Sequence, residues 1–103
     1  MASTVSSRVS DNKGVLSING RFDFSIHRDF RANYDSLLSA TGINEIEVDL
    51  HGVDYIDSSA LGMLLLLREK AMEKHIQMKL LSPKESVRQV LEVANFGRLF
   101  SIV

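Results

Sequence analysis

Val53-Asp54-Tyr55-Ile56-Asp57-Ser58-Ser59-Ala60-Leu61-Gly62-Met63-Leu64-Leu65-Leu66-Leu67 is the stretch on which the reading of the whole chain turns. An apolar run, Ile46 to Leu50 and then Val53, leads into it as a strand. A short acidic turn and two serines follow. The strongly apolar segment after them reads as the first turns of a helix beginning near Ser58. Hydroxyls at a helix start meet free backbone N–H groups and the positive end of the helix dipole. Such a position either caps the helix or holds a phosphate. Two adjacent hydroxyls and an aspartate exceed what one cap requires. The turn also lies beyond the C-terminal end of an expected parallel strand, where open α/β sheets place their ligand sites.

Upstream, residues 3–10 read as an edge strand, and Asp11-Asn12-Lys13-Gly14 as a turn whose glycine supplies a positive φ. Val15 to Gly20 then forms the second strand of a hairpin. Arg21-Phe22-Asp23-Phe24 leaves the sheet, with Asp23 or Ser25 placed to cap a helix. Ile26, Phe30, Tyr34, Leu37 and Leu38 recur at helical spacing, so Ile26 to Ala40 is a helix with one buried stripe, stopped by Thr41-Gly42. Ile43 to Leu50 is the third strand.

Downstream, the helix from Ser58 is apolar nearly all round in its first half. From Arg68 to Lys74 it is amphipathic, which predicts deep burial only at its start. Four leucines in a row cannot all face a sheet, so at least one of them, or Met63, should lie near the surface. Ile76 to Leu81 is a fourth strand. Ser82-Pro83-Lys84-Glu85 has the form of a capping box with proline at the first helical position. Val87, Val90, Leu91 and Ala94 give the next helix its core stripe, Asn95-Phe96-Gly97 stops it, and Leu99 to Val103 is a last edge strand or docked tail. This order implies an α/β fold in one domain, 1–103. Its mixed sheet has about four to five strands, covered by about three to four helices with right-handed parallel crossovers.

Composition narrows the function. With 12 basic and 13 acidic side chains in 103 residues and no run of one sign, the chain lacks the basic face of a nucleic-acid binder. The absence of cysteine removes disulfides, thiol nucleophiles and thiolate ligands. Met1 to Ser7 lacks the order of a signal peptide, and no apolar run is long enough for membrane insertion; a cytoplasmic protein is expected. His27, His51 and His75 stand apart with no metal-ligand spacing, so no metal and no cofactor are expected. No Gly-x-Ser-x-Gly elbow surrounds Ser58 and no phosphate-binding Gly-Lys loop exists, so the chain is read as no enzyme.

The run Tyr55-Ile56-Asp57-Ser58-Ser59-Ala60-Leu61-Gly62 resembles the phosphorylation loop of STAS domains, specifically the anti-sigma factor antagonist family, which shows Asp-Ser-Ser or Asp-Ser-Thr followed by Gly-Leu-Gly. Gly20-Arg21-Phe22-Asp23 resembles the family's Gly-x-Leu-Asp, and Leu81-Ser82-Pro83 its strand-to-helix turn. Val93 to Phe100 is similar to its last helix ending. The resemblance implies a STAS-like fold and a regulatory phosphoacceptor at Ser58, with Ser59 a lesser candidate. It places Asp23 and Asp57 beside that serine, with Asp54 close by, and a partner-binding segment at Ser59, Ala60, Leu61, Gly62 and Met63. Ala60 stands where the family carries glycine, and a longer C-terminal helix of some members is lacking.

The implied partners are a switch-protein serine kinase or anti-sigma factor, which binds the unphosphorylated form and releases it on phosphorylation, and a PP2C-type phosphatase that restores it. The alternative is a STAS accessory subunit of a membrane complex of the lipid-transport ABC type. A phosphoserine brings roughly −1.5 to −2 charges. At Ser58 the helix N-terminus would favour it and the carboxylates would oppose it, so binding should change more than folding.

Overall fold

The computed structural model describes residues 3–103; Met1 and Ala2, the start of the segment read as leaderless, lie outside the described residues. Strands β1 (Thr4–Ser10) and β2 (Lys13–Phe22) form an antiparallel hairpin. A 3-10 turn (Phe24–Ile26) leads into α1 (His27–Ser39). Then come β3 (Glu45–Ile56), α2 (Ser58–Glu73), β4 (Gln77–Leu81), α3 (Glu85–Val93), a second 3-10 turn (Phe96–Arg98) and β5 (Ser101–Ile102). The sheet runs β1-β2-β3-β4-β5, antiparallel at the first pair and parallel at the other three. This is the expected mixed α/β architecture.

Each parallel strand is added on the same side of the one before it. Right-handed crossovers therefore put all three helices on one face. Burial agrees: Ile46, Val48 and Leu50 of β3 share one core with Phe30 and Tyr34 of α1, Leu64 and Leu67 of α2, and Val87 and Leu91 of α3. The residues that alternate with them, Glu47, Asp49 and His51, are not buried. At the end of β2, Phe22 meets Phe30 with ring centroids 5.2 Å apart, and Phe30 meets Tyr34 at 5.4 Å, which fixes α1 against the sheet.

The third strand is longer than its alternation predicts. Its buried apolar positions are 46, 48, 50, 53 and 56, two steps of two followed by two steps of three. Each step of three is a bulge. Ser17 pairs with Asp49 but Asn19 with Gly52, and Gly20 pairs with Val53 but Arg21 with Tyr55, so β3 twice uses one more residue than β2. Asp54 and Tyr55 therefore lie on the strand and not in an acidic turn. Gly52 belongs to the first bulge, where a Cβ would collide with Asn19 Oδ1 and press on the Ile18 carbonyl at 3.2 Å.

Three further expectations are corrected. The hairpin turn is made by Asp11 and Asn12, with Asp11 at φ 56. Gly14 lies inside β2, where an added Cβ would sit 2.9 Å from Leu37 Cδ2, so its smallness admits α1. There is no capping box before α3. Ser82 takes φ 54 and its N–H donates to the Val103 carbonyl at 2.9 Å, so it serves the sheet's C-terminal pairing; Lys84 is the N-cap, without a side-chain bond. Burial of α2 continues past its first half through Leu67 to Ala71, because the helix lies along the sheet for its full length.

Candidate functional site

At the C-terminal end of β3 the backbone stays extended through Asp57 (φ −117, ψ −179) and then enters α2. The Asp57 carboxylate caps that helix: Oδ1 accepts the Ala60 N–H at 3.0 Å and the Ser59 hydroxyl at 2.6 Å. The Asp57 carbonyl accepts the Leu61 N–H at 3.2 Å. The aspartate thus does the capping that either serine could have done. Ser59 is half-buried and committed to Asp57. Ser58 is exposed, and its hydroxyl makes no hydrogen bond among the described residues. As the first residue of α2 it lies beside backbone N–H groups that have no partner within the helix.

The loop after β2 comes to the same place. Phe22 pairs with Ile56, and the Asp57 N–H donates to the Phe22 carbonyl at 3.3 Å, which brings Asp23 beside the Asp57 turn. Asp23 caps the first 3-10 turn, accepting the Ser25 N–H at 3.0 Å, the Ser25 hydroxyl, and Arg21 Nε at 3.3 Å. The Ser25 hydroxyl, then the Ser25 N–H, and more weakly Arg21 hold the Asp23 carboxyl below its usual pKa. Asp54 is drawn elsewhere, its Oδ1 2.6 Å from Lys84 Nζ at the start of α3. Of the three carboxylates, Asp57 caps the turn that carries the serine, Asp23 opens the loop tied to that turn through the Phe22 carbonyl, and Asp54 is occupied by a lysine.

Ala60 is 0% exposed and lies in the core, so of the five residues expected to meet a partner it offers no side chain. As a regular helical residue it needs no positive φ, and alanine serves there in place of glycine. Gly62 is exposed, between half-buried Leu61 and Met63. Leu61 lines an apolar groove of about 340 Å³ toward Val90, Val93 and Ala94 of α3. Met63 and Leu66 line a narrower cleft against α1. Leu65 and Leu66 are exposed, as the leucine run requires.

Sequence reasoning missed an exposed aromatic and cationic group at the same end of the sheet. Arg21 and Tyr55 are cross-strand partners, and the guanidinium carbon lies 4.1 Å from the centroid of the Tyr55 ring, which is 44% exposed. Phe24, 62% exposed, stacks on His27 at 4.1 Å. The signal for Arg21 and Tyr55 was hidden, because only the two bulges bring these residues opposite each other. The three histidines are scattered, and no metal-ligating cluster occurs among the described residues.

A mixed sheet with one helical face and a serine-bearing turn at the C-terminal ends of its parallel strands defines a small α/β class. Residues 5–103 match the family described as "Mlab, STAS domain", and the chain belongs to the STAS domain family. A STAS-domain containing protein of Pseudomonas aeruginosa is 41% identical over 102 residues, 99% of either chain. A candidate anti-sigma factor antagonist from Thermotoga maritima superposes with TM-score 0.84 at 26% identity, over 95% of this chain and 84% of that one. The anti-sigma factor antagonist SpoIIAA in its unphosphorylated form gives 0.80 at 20% identity, over 99% and 88%. The STAS domain of a SulP transporter from Vibrio cholerae gives 0.72 at 17% identity, over 91% and 72%.

Proposed function

We propose that this chain is an anti-sigma factor antagonist-like regulator whose unphosphorylated form binds a switch-protein serine kinase or anti-sigma factor. The kinase transfers a phosphoryl group to Ser58 and the complex parts; a PP2C-type phosphatase resets the switch. The chain is substrate and binding module, not catalyst, and works in the cytoplasm. The observation that carries this reading is the division of labour at the start of α2. Asp57 satisfies the helix end, and Ser58 is left exposed with an uncommitted hydroxyl. Likeness of fold to anti-sigma factor antagonists supports it.

Intact-mass and fragment mass spectrometry of protein from its native cell tests the modification. One phosphoryl group on the peptide carrying Ser58, absent from Ser58→Ala, is expected; phosphate on Ser59 alone would overturn the assignment. Ser58→Asp should lose most affinity for the partner while keeping its melting temperature. The likeness of fold to the STAS domain of a SulP transporter is compatible with a second reading, an architectural subunit of a membrane complex, for which the lipid-transport ABC type is the alternative kept from the sequence. Co-purification with an ATPase subunit, regardless of the residue at 58, would favour it.

A further inference from the structure

The geometry points to Arg21 as the cation that receives a phosphoryl group carried by Ser58, sharing its guanidinium between that group and Asp23. This rests on Ser58 being the modified residue. A phosphoserine there stands beside Asp23 and Asp57, both held in place as hydrogen-bond acceptors for their own turns, and neither can swing away without uncapping a helix start. With roughly −1.5 to −2 charges added, the end of the sheet needs a counter-charge.

Arg21, at the end of β2, and Lys84, after β4, are cations at the C-terminal ends of the parallel strands. Lys84 is already closed on Asp54 at 2.6 Å, toward α3. Arg21 reaches Asp23 through Nε alone, at 3.3 Å, and both Nη groups remain without hydrogen bonds among the described residues. Its plane is steadied by the Tyr55 ring at 4.1 Å, which limits the rotamer freedom lost when a phosphate is bound. The pairing of Phe22 with Ile56, and the Asp57 N–H bond to the Phe22 carbonyl, put Arg21 at the same end of the sheet as the turn after Ile56. A guanidinium also matches phosphate oxygens with two parallel N–H donors, which an ammonium cannot do. The guanidinium offsets part of the added charge from within the chain, which helps the fold tolerate the modification.

The test installs phosphoserine at position 58 during translation and follows its second ionisation, ordinarily near about 6, by phosphorus NMR. The charged groups at this end of the sheet are Arg21 with Asp23, Asp57 at the helix start, and the Asp54–Lys84 pair. In the parent chain the phosphate pKa should lie lower than in Arg21→Gln by about one unit. Lys84→Gln should leave it unchanged. An unaltered value in Arg21→Gln, or a rise in Lys84→Gln instead, would overturn the assignment. If Arg21→Gln fails to fold, Tyr55→Leu removes the ring that steadies the guanidinium: a partial rise supports the proposal, and none refutes it. Because the phosphate is installed, the outcome is independent of whether the cell phosphorylates Ser58, which mass spectrometry decides separately.

Discussion

Asp57 and Ser58 are neighbours with divided duties. The carboxylate takes the exposed end of α2, accepting both the Ala60 N–H and the Ser59 hydroxyl. The hydroxyl next to it is structurally idle. Stability should therefore track the aspartate and not the serine. Asp57→Ala is expected to cost about 1 kcal/mol, within a range of about 0.5–2 for a lost cap. Ser58→Ala should stay within about 0.5 kcal/mol of the parent. Urea unfolding of the two variants checks this, and equal destabilisation would mean that Ser58 also supports the helix. That Asp57-Ser58-Ser59 opens a helix was legible in the chain, since these residue types lead at helix starts. Which of the three did the capping was not legible, because all three residue types favour that position and only the side-chain geometry separates them.

Among the elements, α1 was readable from periodicity alone, because it buries one regular stripe, Phe30, Tyr34, Leu37 and Leu38. The third strand was not, because its apolar spacing changes from two to three at Gly52 and again before Ile56, and a bulge looks like a turn when the partner strand is unknown. The start of α3 misled for a different reason. Ser82 has the composition of a cap, but its backbone is held by Val103, 21 residues further along, a contact that local pattern cannot announce. The leucine run of α2 was read correctly in outline, and burial now sorts its members. Leu67 is fully buried in the core, and Leu66 is 44% exposed. Leu67→Ala should cost about 2–5 kcal/mol. Leu66→Gln should change stability by no more than about 0.5 kcal/mol. Thermal unfolding of both decides, and a large loss for Leu66→Gln would show that the cleft against α1 is more tightly closed than its exposure implies.

Over the whole molecule, the helices occupy one face of the sheet and leave the other to ion pairs that tie three strands together. Glu45, 8% exposed, lies between Lys13 of β2 and Lys79 of β4, with Nζ–O separations of 3.5 and 3.3 Å; Lys13 is also 3.5 Å from Glu47. The Oε2 of Glu45 lacks hydrogen-bond geometry with Lys13, so that contact is coulombic. Burial pushes the Glu45 carboxyl up, but contacts with Lys79 and Glu47 and the charges of Lys79 and Lys13 outweigh it, and the pKa falls below the ordinary 4.5. Glu47 and then Glu45 raise Lys13 above 10.5. A carboxyl depressed on folding stabilises above its unfolded pKa and loses that contribution as pH falls through the folded value. A lysine raised on folding stabilises below 10.5 and loses its contribution as pH rises through the folded value. The clasp should therefore be intact between these limits and weaken on either side. Glu45→Gln is expected to flatten the acid limb of stability against pH without abolishing it, since Asp23 is depressed as well. It should also soften the alkaline limb, because Lys13 keeps only Glu47. Urea midpoints measured across acid, neutral and alkaline pH check both arms, and an acid limb identical to the parent's would show that Glu45 is as well solvated unfolded as it is paired in the sheet.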